Sequence, residues 1–163
     1  MTNIARAESY FLNGRIVEDR SLKLDEVVRK RLLSGAGISA QDYLATQRRL
    51  QEMKLEMDAA LAEADAFLTP TTATAAIPLT QINYDEQPTL FARFVNLLEM
   101  CALALPNGFT AEGLPTSLQI ACRGYEEALA LRIGHAYQQA SDWHERLPPA
   151  VERRQVAPAS LVA

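Results

Sequence analysis

Residues 103–128 read LALPNGFTAEGLPTSLQIACRGYEEA, and this stretch restricts the fold more than any other. Two apolar, strand-like runs, LALP and SLQIAC, flank the turn-rich NGFTAEGLPT, and a helix start follows. In the second run Leu118, Ile120 and Cys122 alternate with Ser117, Gln119 and Ala121. That period of two sends successive side chains to opposite faces of a sheet. A connection of this length predicts an antiparallel hairpin with a wide loop. Beyond it, YEEALALRIGHAYQQASD places Leu129, Ile133, Ala136, Tyr137 and Ala140 along one side of a helix.

Upstream, the first helix is expected at LDEVVRKRLLSG, with Asp25 and Glu26 in its first turn and Gly35 placed to stop it. Leu24, Val27, Val28 and Leu32 supply its apolar stripe. The segment SAQDYLATQRRLQEMKLEMDAALAEA predicts a longer helix, with Ser39 and Asp42 as a capping box. Tyr43, Leu50, Met53, Met57, Leu61 and Ala64 share one face of it, opposite Arg48, Glu52, Glu56 and Glu63. At 1.5 Å per residue this helix should extend about 39 Å. AFLTPTTA reads as a short buried strand ending at Pro70, and AIPLTQINYDEQPT as a long connection. LFARFVNLLEMCA is apolar almost all round a helix and expects burial on most sides. The fold class is therefore α/β: a few mixed or antiparallel strands, including a hairpin, packed with four to five helices. Residues 1–148 form the structured segment and residues 149–163 a flexible tail.

With 163 residues the chain can bury a core. Its net charge of −4 and dispersed Lys and Arg exclude an electrostatic grip on nucleic acid. No apolar run reaches the roughly 20 residues of a bilayer span, and no secretory signal opens the sequence. Cys101 and Cys122 lie in apolar surroundings without metal-type spacing, so buried thiols in a reducing cytoplasm are favoured over a disulfide. The seven glycines are scattered singly, so no phosphate-cradling loop exists.

Chemistry-bearing residues are sparse. His135 and His144 lack ligand-spaced partners, which leaves packed or helix-end roles. Ser34 and Ser117 lack the flanking glycines of a nucleophile elbow, and the cysteines lack a neighbouring cation. Asp85 and Glu86 read either as a carboxylate pair or as a solvated loop. Arg93 and Asn96 interrupt the apolar FARFVNLLEM. Either both face a cleft, or Arg93 emerges at the surface while Asn96 caps neighbouring backbone.

The series DYLATQRR, ADAFLTPTTATAAIP, FVNLLEMCALALPNGF and EGLPTSLQIACRGYEEALALRIGHAYQQASDWH resembles the C-terminal part of an amidase signature enzyme. Members commonly show Asp-x-Leu-Leu-x-Thr-Pro, then Asn-Leu-x-Gly-x-Pro-Ala running into Pro-x-Gly, then Gly-Leu-Pro-x-Gly-Leu-Gln-Ile and a closing helix. The resemblance covers residues 5–148. Glu99 and Cys101 stand where many members have Gly and Pro, and Thr116-Ser117 replaces x-Gly before Leu118. These departures look closer to the allophanate and biuret hydrolase branch than to the glutamine-handling amidotransferase subunits. In those subunits an acidic residue holding the substrate amine is expected seven positions before the Asn, where this chain has Thr89.

The resemblance implies hydrolysis of a carboxamide through a serine acyl-enzyme, with no metal or organic cofactor. Family catalysis rests on a serine, a bridging serine in a cis peptide and a lysine, carried by a Gly-Ser-Ser-Gly-Gly-Ser-type segment that precedes this region. The sequence has no Ser-Ser pair, and Lys23, Lys30 and Lys54 lie in or beside predicted helices. No catalytic residue is carried over; the expectation is scaffold alone, with Thr72, Arg93 and Asn96 near one wall of a pocket for a small amide. Half-covered apolar faces are expected, and with them self-association or pairing with a chain that holds the N-terminal half. Three alternatives stay open: a non-catalytic partner that complements a separate chain, part of a glutamyl-tRNA amidotransferase of the A type, or an unrelated helical binding protein with almost no strand.

Overall fold

The computed structural model describes residues 2–83 and 89–147. The tail expected over 149–163, and the Asp85–Glu86 pair, lie outside the described residues.

Three helices open the chain: α1 Thr2–Glu18, α2 Glu26–Leu33 and α3 Ala40–Ala60. Sequence periodicity offers no counterpart to α1. Its apolar residues point both ways, Ile4 and Val17 being buried while Phe11 and Leu12 are exposed, so no single stripe announces it. The helix α2 forms where expected, with Asp25 Oδ1 accepting from the backbone N–H of Val27 at 2.9 Å and of Val28 at 3.0 Å. Its orientation differs from the expectation. Val27 and Val28 are exposed, whereas Arg29 is only 2% exposed. The cause is the Arg29 guanidinium, which donates to the carbonyls of Val17 in the last turn of α1 and of Asp19 and Leu22 in the α1–α2 connection.

In α3 the capping box is present, with Asp42 N–H donating to Ser39 Oγ at 3.0 Å. Leu50 is buried, with Tyr43, Met53 and Met57 packed beside it, and Arg48, Glu52 and Glu56 face solvent. The helix spans 21 residues, about 31 Å, and stops at Ala60 rather than continuing to Ala64. Leu61 is buried immediately beyond the last turn, and its carbonyl accepts from Arg123, 62 residues further along the chain.

The strands β1 Phe67–Pro70, β2 Cys101–Phe109 and β3 Pro115–Cys122 form one antiparallel sheet in the order β1-β3-β2. This rules out the nearly strand-free helical alternative. The hairpin is confirmed, but with longer strands and a tighter turn than LALP and a ten-residue loop. Asn107–Phe109 continue β2 through a bulge between Pro106 and Gly108, and Thr110 N–H closes on Leu114 C=O at 2.8 Å.

The greatest departure lies in residues 90–102. Helical structure is confined to α4, Arg93–Leu97, and Glu99 takes a left-handed φ of 56° before β2 begins at Cys101. A mostly apolar segment satisfies a buried helix and a buried strand equally, and here it is divided between the two.

The last helix, α5 Glu127–Gln139, lies across β2 and β3. Leu105, Ile120, Cys122 and Ala130 are buried between them, flanked by Leu129, Ile133 and Tyr137. Gly134 makes this approach possible, since a Cβ there would meet Leu103 Cδ2 and come within 3.1 Å of Leu105 Cδ1. Ala136 and Ala140, expected on the packed side, are exposed, and so is His135. His144 belongs to a 3₁₀ turn, Trp143–Glu145, and not to α5. A second core, Ile4, Leu50 and Leu98 with Phe94 and Met57, joins α1 and α3 to α4.

Candidate functional site

Where β1 ends at Pro70 and β3 begins at Pro115, the sheet opens into a groove of about 830 Å³. Its walls are the ends of the three strands and the loop from Thr72 to Ala76. The polar groups are hydroxyls and one amide: Thr69, Thr72, Thr74, Thr116, Ser117 and Asn107. Thr72 Oγ1 donates to Thr74 C=O at 2.8 Å, which leaves its oxygen free to accept from a ligand. Thr116 Oγ1 donates to Asn107 Oδ1 at 2.9 Å on the opposite wall. No ionisable side chain among the described residues lines the groove. The groove can therefore orient a small neutral molecule by hydrogen bonds, while none of these side chains suits general acid–base work near neutrality.

Of the three residues expected at the pocket wall, Thr72 lies in the groove, whereas Arg93 and Asn96 do not line it. Both are exposed, one turn apart on α4. Arg93 Nη2 donates to Thr89 Oγ1 at 3.1 Å. The connection between the two places is Gln119, 4% exposed in the central strand. Its Nε2 donates to Thr69 Oγ1 at 3.0 Å and to Phe91 C=O at 2.7 Å. One buried amide thus ties a groove residue to the segment entering α4. Sequence periodicity places Gln119 on the polar face of its strand and gives no sign of this role; Phe67 shares that face and its ring lies 5.2 Å from that of Phe94.

Ser117 lines the groove, and Lys54 on α3 is instead paired with Glu99 at 2.7 Å. Among the described residues no cluster of three or more His, Cys, Asp or Glu could hold a metal. No described helix is long and apolar enough to cross a membrane.

Cys101 and Cys122 are register partners across the hairpin, and both are free thiols. Burial pushes the Cys122 thiol above its ordinary pKa, with smaller contributions from Cys101 and Glu126. The folded state therefore holds this proton to higher pH than the unfolded chain does. Its contribution to stability is complete below the ordinary thiol pKa, about 8.5, and is lost as pH rises above it. The urea midpoint should fall from pH 8 to pH 10, and Cys122→Ala should give a shallower fall. An unchanged slope in the variant would show that the thiol is not the group responsible.

An amidase family model matches residues 8–131. The chain belongs to the amidase family. The A-type subunit of glutamyl-tRNA(Gln) amidotransferase from Chloroflexus aggregans is 36% identical over 152 residues, covering 88% of this chain and 31% of the relative. This amidase-family chain thus spans about a third of the length of the curated relatives it matches. Among solved structures, a protein of a vestigial complex tied to the origins of an s-triazine catabolic enzyme superposes with a TM-score of 0.80. The match covers 90% of this chain and 34% of that one, at 19% identity. Allophanate hydrolase of Kluyveromyces lactis gives a TM-score of 0.73 over 88% of this chain and 26% of that one, at 18% identity. The likeness to allophanate hydrolase is thus one of fold alone, whereas the amidotransferase subunit is similar in sequence as well.

Proposed function

We propose that this chain supplies the C-terminal part of an amidase domain that hydrolyses a small carboxamide. In that reaction a serine hydroxyl attacks the amide carbon and the amine departs with a proton. Water then attacks the resulting ester, releasing the acid and restoring the hydroxyl. On this reading the serine, the bridging serine and the lysine come from the preceding part of the domain. This chain contributes strands, supporting helices and the wall that carries Thr72, with Arg93 and Asn96 at the margin. The observation that carries the reading is a family match over residues 8–131 in a chain that spans 31% of its relative. The test is to co-express the chain with the preceding portion of the Chloroflexus aggregans relative and assay ammonia release from simple amides. Neither polypeptide alone should release ammonia, and the pair should. Release by this chain alone would overturn the reading.

A second reading, an A-type amidotransferase that draws ammonia from glutamine, is favoured by the 36% identity. Against it stands Thr89, at the place of the expected acidic residue, with Arg93 at 3.1 Å from its hydroxyl. A threonine hydroxyl carries no charge to hold the α-ammonium of glutamine, so the reconstituted enzyme should prefer amides without an amino group.

A further inference from the structure

The two edges of the sheet are unlike. Neither outer strand has a further strand partner among the described residues, but at β2 the 3₁₀ turn Trp143–Glu145 packs against the strand, with the Trp143 and Phe109 rings 6.1 Å apart and Arg146 stacked 4.2 Å from the Trp143 ring. At β1 no strand among the described residues pairs with the outer edge. Thr71 N–H donates inward to Ser117 C=O at 3.1 Å. The alternation of an antiparallel ladder then aims the N–H and C=O of Leu68 outward. Pro70 shares that outer side and lacks only a donor.

The apolar face also runs off this edge. Leu68 is the register partner of Ile120 and lies on the side of the sheet that α5 covers over β2 and β3. Ile120 is 0% exposed, and Leu68 is 60% exposed. Charge adds a third observation. Exposed edge strands are ordinarily guarded by charged side chains. Residues 66–83 contain none, and the groove begins at Leu68, so edge and groove form one continuous uncharged surface.

We propose that the outer edge of β1 is the docking seat for the portion of the amidase domain that this chain does not span. An added strand would pair with Leu68, and an apolar element would cover its side chain. The occupant is argued from length: the relatives and fold neighbours carry roughly two further thirds of chain beyond the part matched here. This inference rests on the proposed reading and adds the surface through which the two parts meet.

The test uses the complex co-expressed with the preceding portion of the Chloroflexus aggregans relative. Amide exchange at Leu68 should slow at least tenfold in the complex compared with the chain alone. Leu68→Glu should weaken the complex at least tenfold. Leu131→Glu, on the exposed side of α5 and equally 60% exposed, should leave it intact. Matching thermal midpoints for the two variants would show that both are folded. Absence of a complex overturns the proposal. So does a complex in which the Leu68 amide stays unprotected and Leu68→Glu is silent, or a homodimer of this chain sealed at Leu68. A complex held through Leu68 that releases no ammonia would sink the proposed hydrolysis and leave the docking seat standing. An active complex indifferent to Leu68→Glu would do the reverse.

Discussion

Arg29→Ala is expected to lower the unfolding free energy by about 3 kcal/mol, read from the urea midpoint. The guanidinium is 2% exposed, and its donors are spent on backbone: Nη1 reaches Val17 C=O at 2.6 Å and Asp19 C=O at 3.0 Å, and Nη2 reaches Leu22 C=O at 2.6 Å. Removing it strands three acceptors and opens a cavity under the α1–α2 connection. The remaining partner is Glu26, 3.2 Å from Nε with a side chain 74% exposed, and solvent screens that pair. Glu26→Gln should therefore change stability by less than about 0.5 kcal/mol. Arg29→Lys separates charge from shape: an ammonium cannot serve three carbonyls arranged for a planar fork, and about half of the loss should remain. A Lys variant as stable as the parent would mean that the charge alone matters. The same connection is stiffened by Asp19, whose carboxylate accepts from the Ser21 hydroxyl at 2.7 Å and is held below the ordinary carboxyl range chiefly by that bond.

Arg29 also marks a boundary of what the sequence discloses. Helical periodicity assigns charged residues to water, so α2 is expected to bury Val27 and Val28. The structure inverts this because three carbonyls, one in the last turn of α1 and two in the loop after it, need donors, a requirement that arises only once α1 exists. The helix α1 is itself invisible to periodicity, having Ile4 and Val17 inward and Phe11 and Leu12 outward. The hairpin is legible for the opposite reason. Its period-two alternation and turn residues are local, and they suffice to place Leu118 and Ile120 on a strand. Over residues 90–102 the composition is informative and the geometry is not, since a segment apolar on nearly every side does not show where its helix gives way to a strand.

The site divides in the same way. Thr72, set near a pocket wall by the family resemblance, lies in the groove. Arg93 and Asn96 stand out as polar residues in apolar surroundings, and the short α4 sets both at the surface. Gln119 belongs to the LPTSLQI segment that carries the family resemblance. Its two hydrogen bonds reach Thr69 and Phe91, 50 and 28 residues away in the chain, and no spacing rule anticipates them.

Gly124→Ala should be comparably damaging, lowering stability by about 3 kcal/mol, at the upper end of overpacking losses. Gly124 follows β3, and a Cβ built on it would run into the backbone carbonyl oxygen of Glu99, far inside van der Waals contact. That oxygen cannot swing away as a side chain would. Glu99 is already in a left-handed conformation, φ 56°, in the turn that carries the chain from α4 into β2. Family members often have Gly at the position of Glu99, and the positive φ supplies the physical reason. Here a non-glycine residue holds the same turn, and its carboxylate pairs with Lys54 at 2.7 Å. Displacing the Glu99 carbonyl would shift the start of β2 at Cys101, directly across from Cys122, and with it the β2–β3 register next to α5. Gly37→Ala is the matched control. Nothing lies within 4 Å of its Cβ position, so stability should change by no more than about 0.5 kcal/mol. Should both alanine variants unfold at the parent's urea midpoint, the close approach of Gly124 to Glu99 would not be a feature of the folded chain in solution.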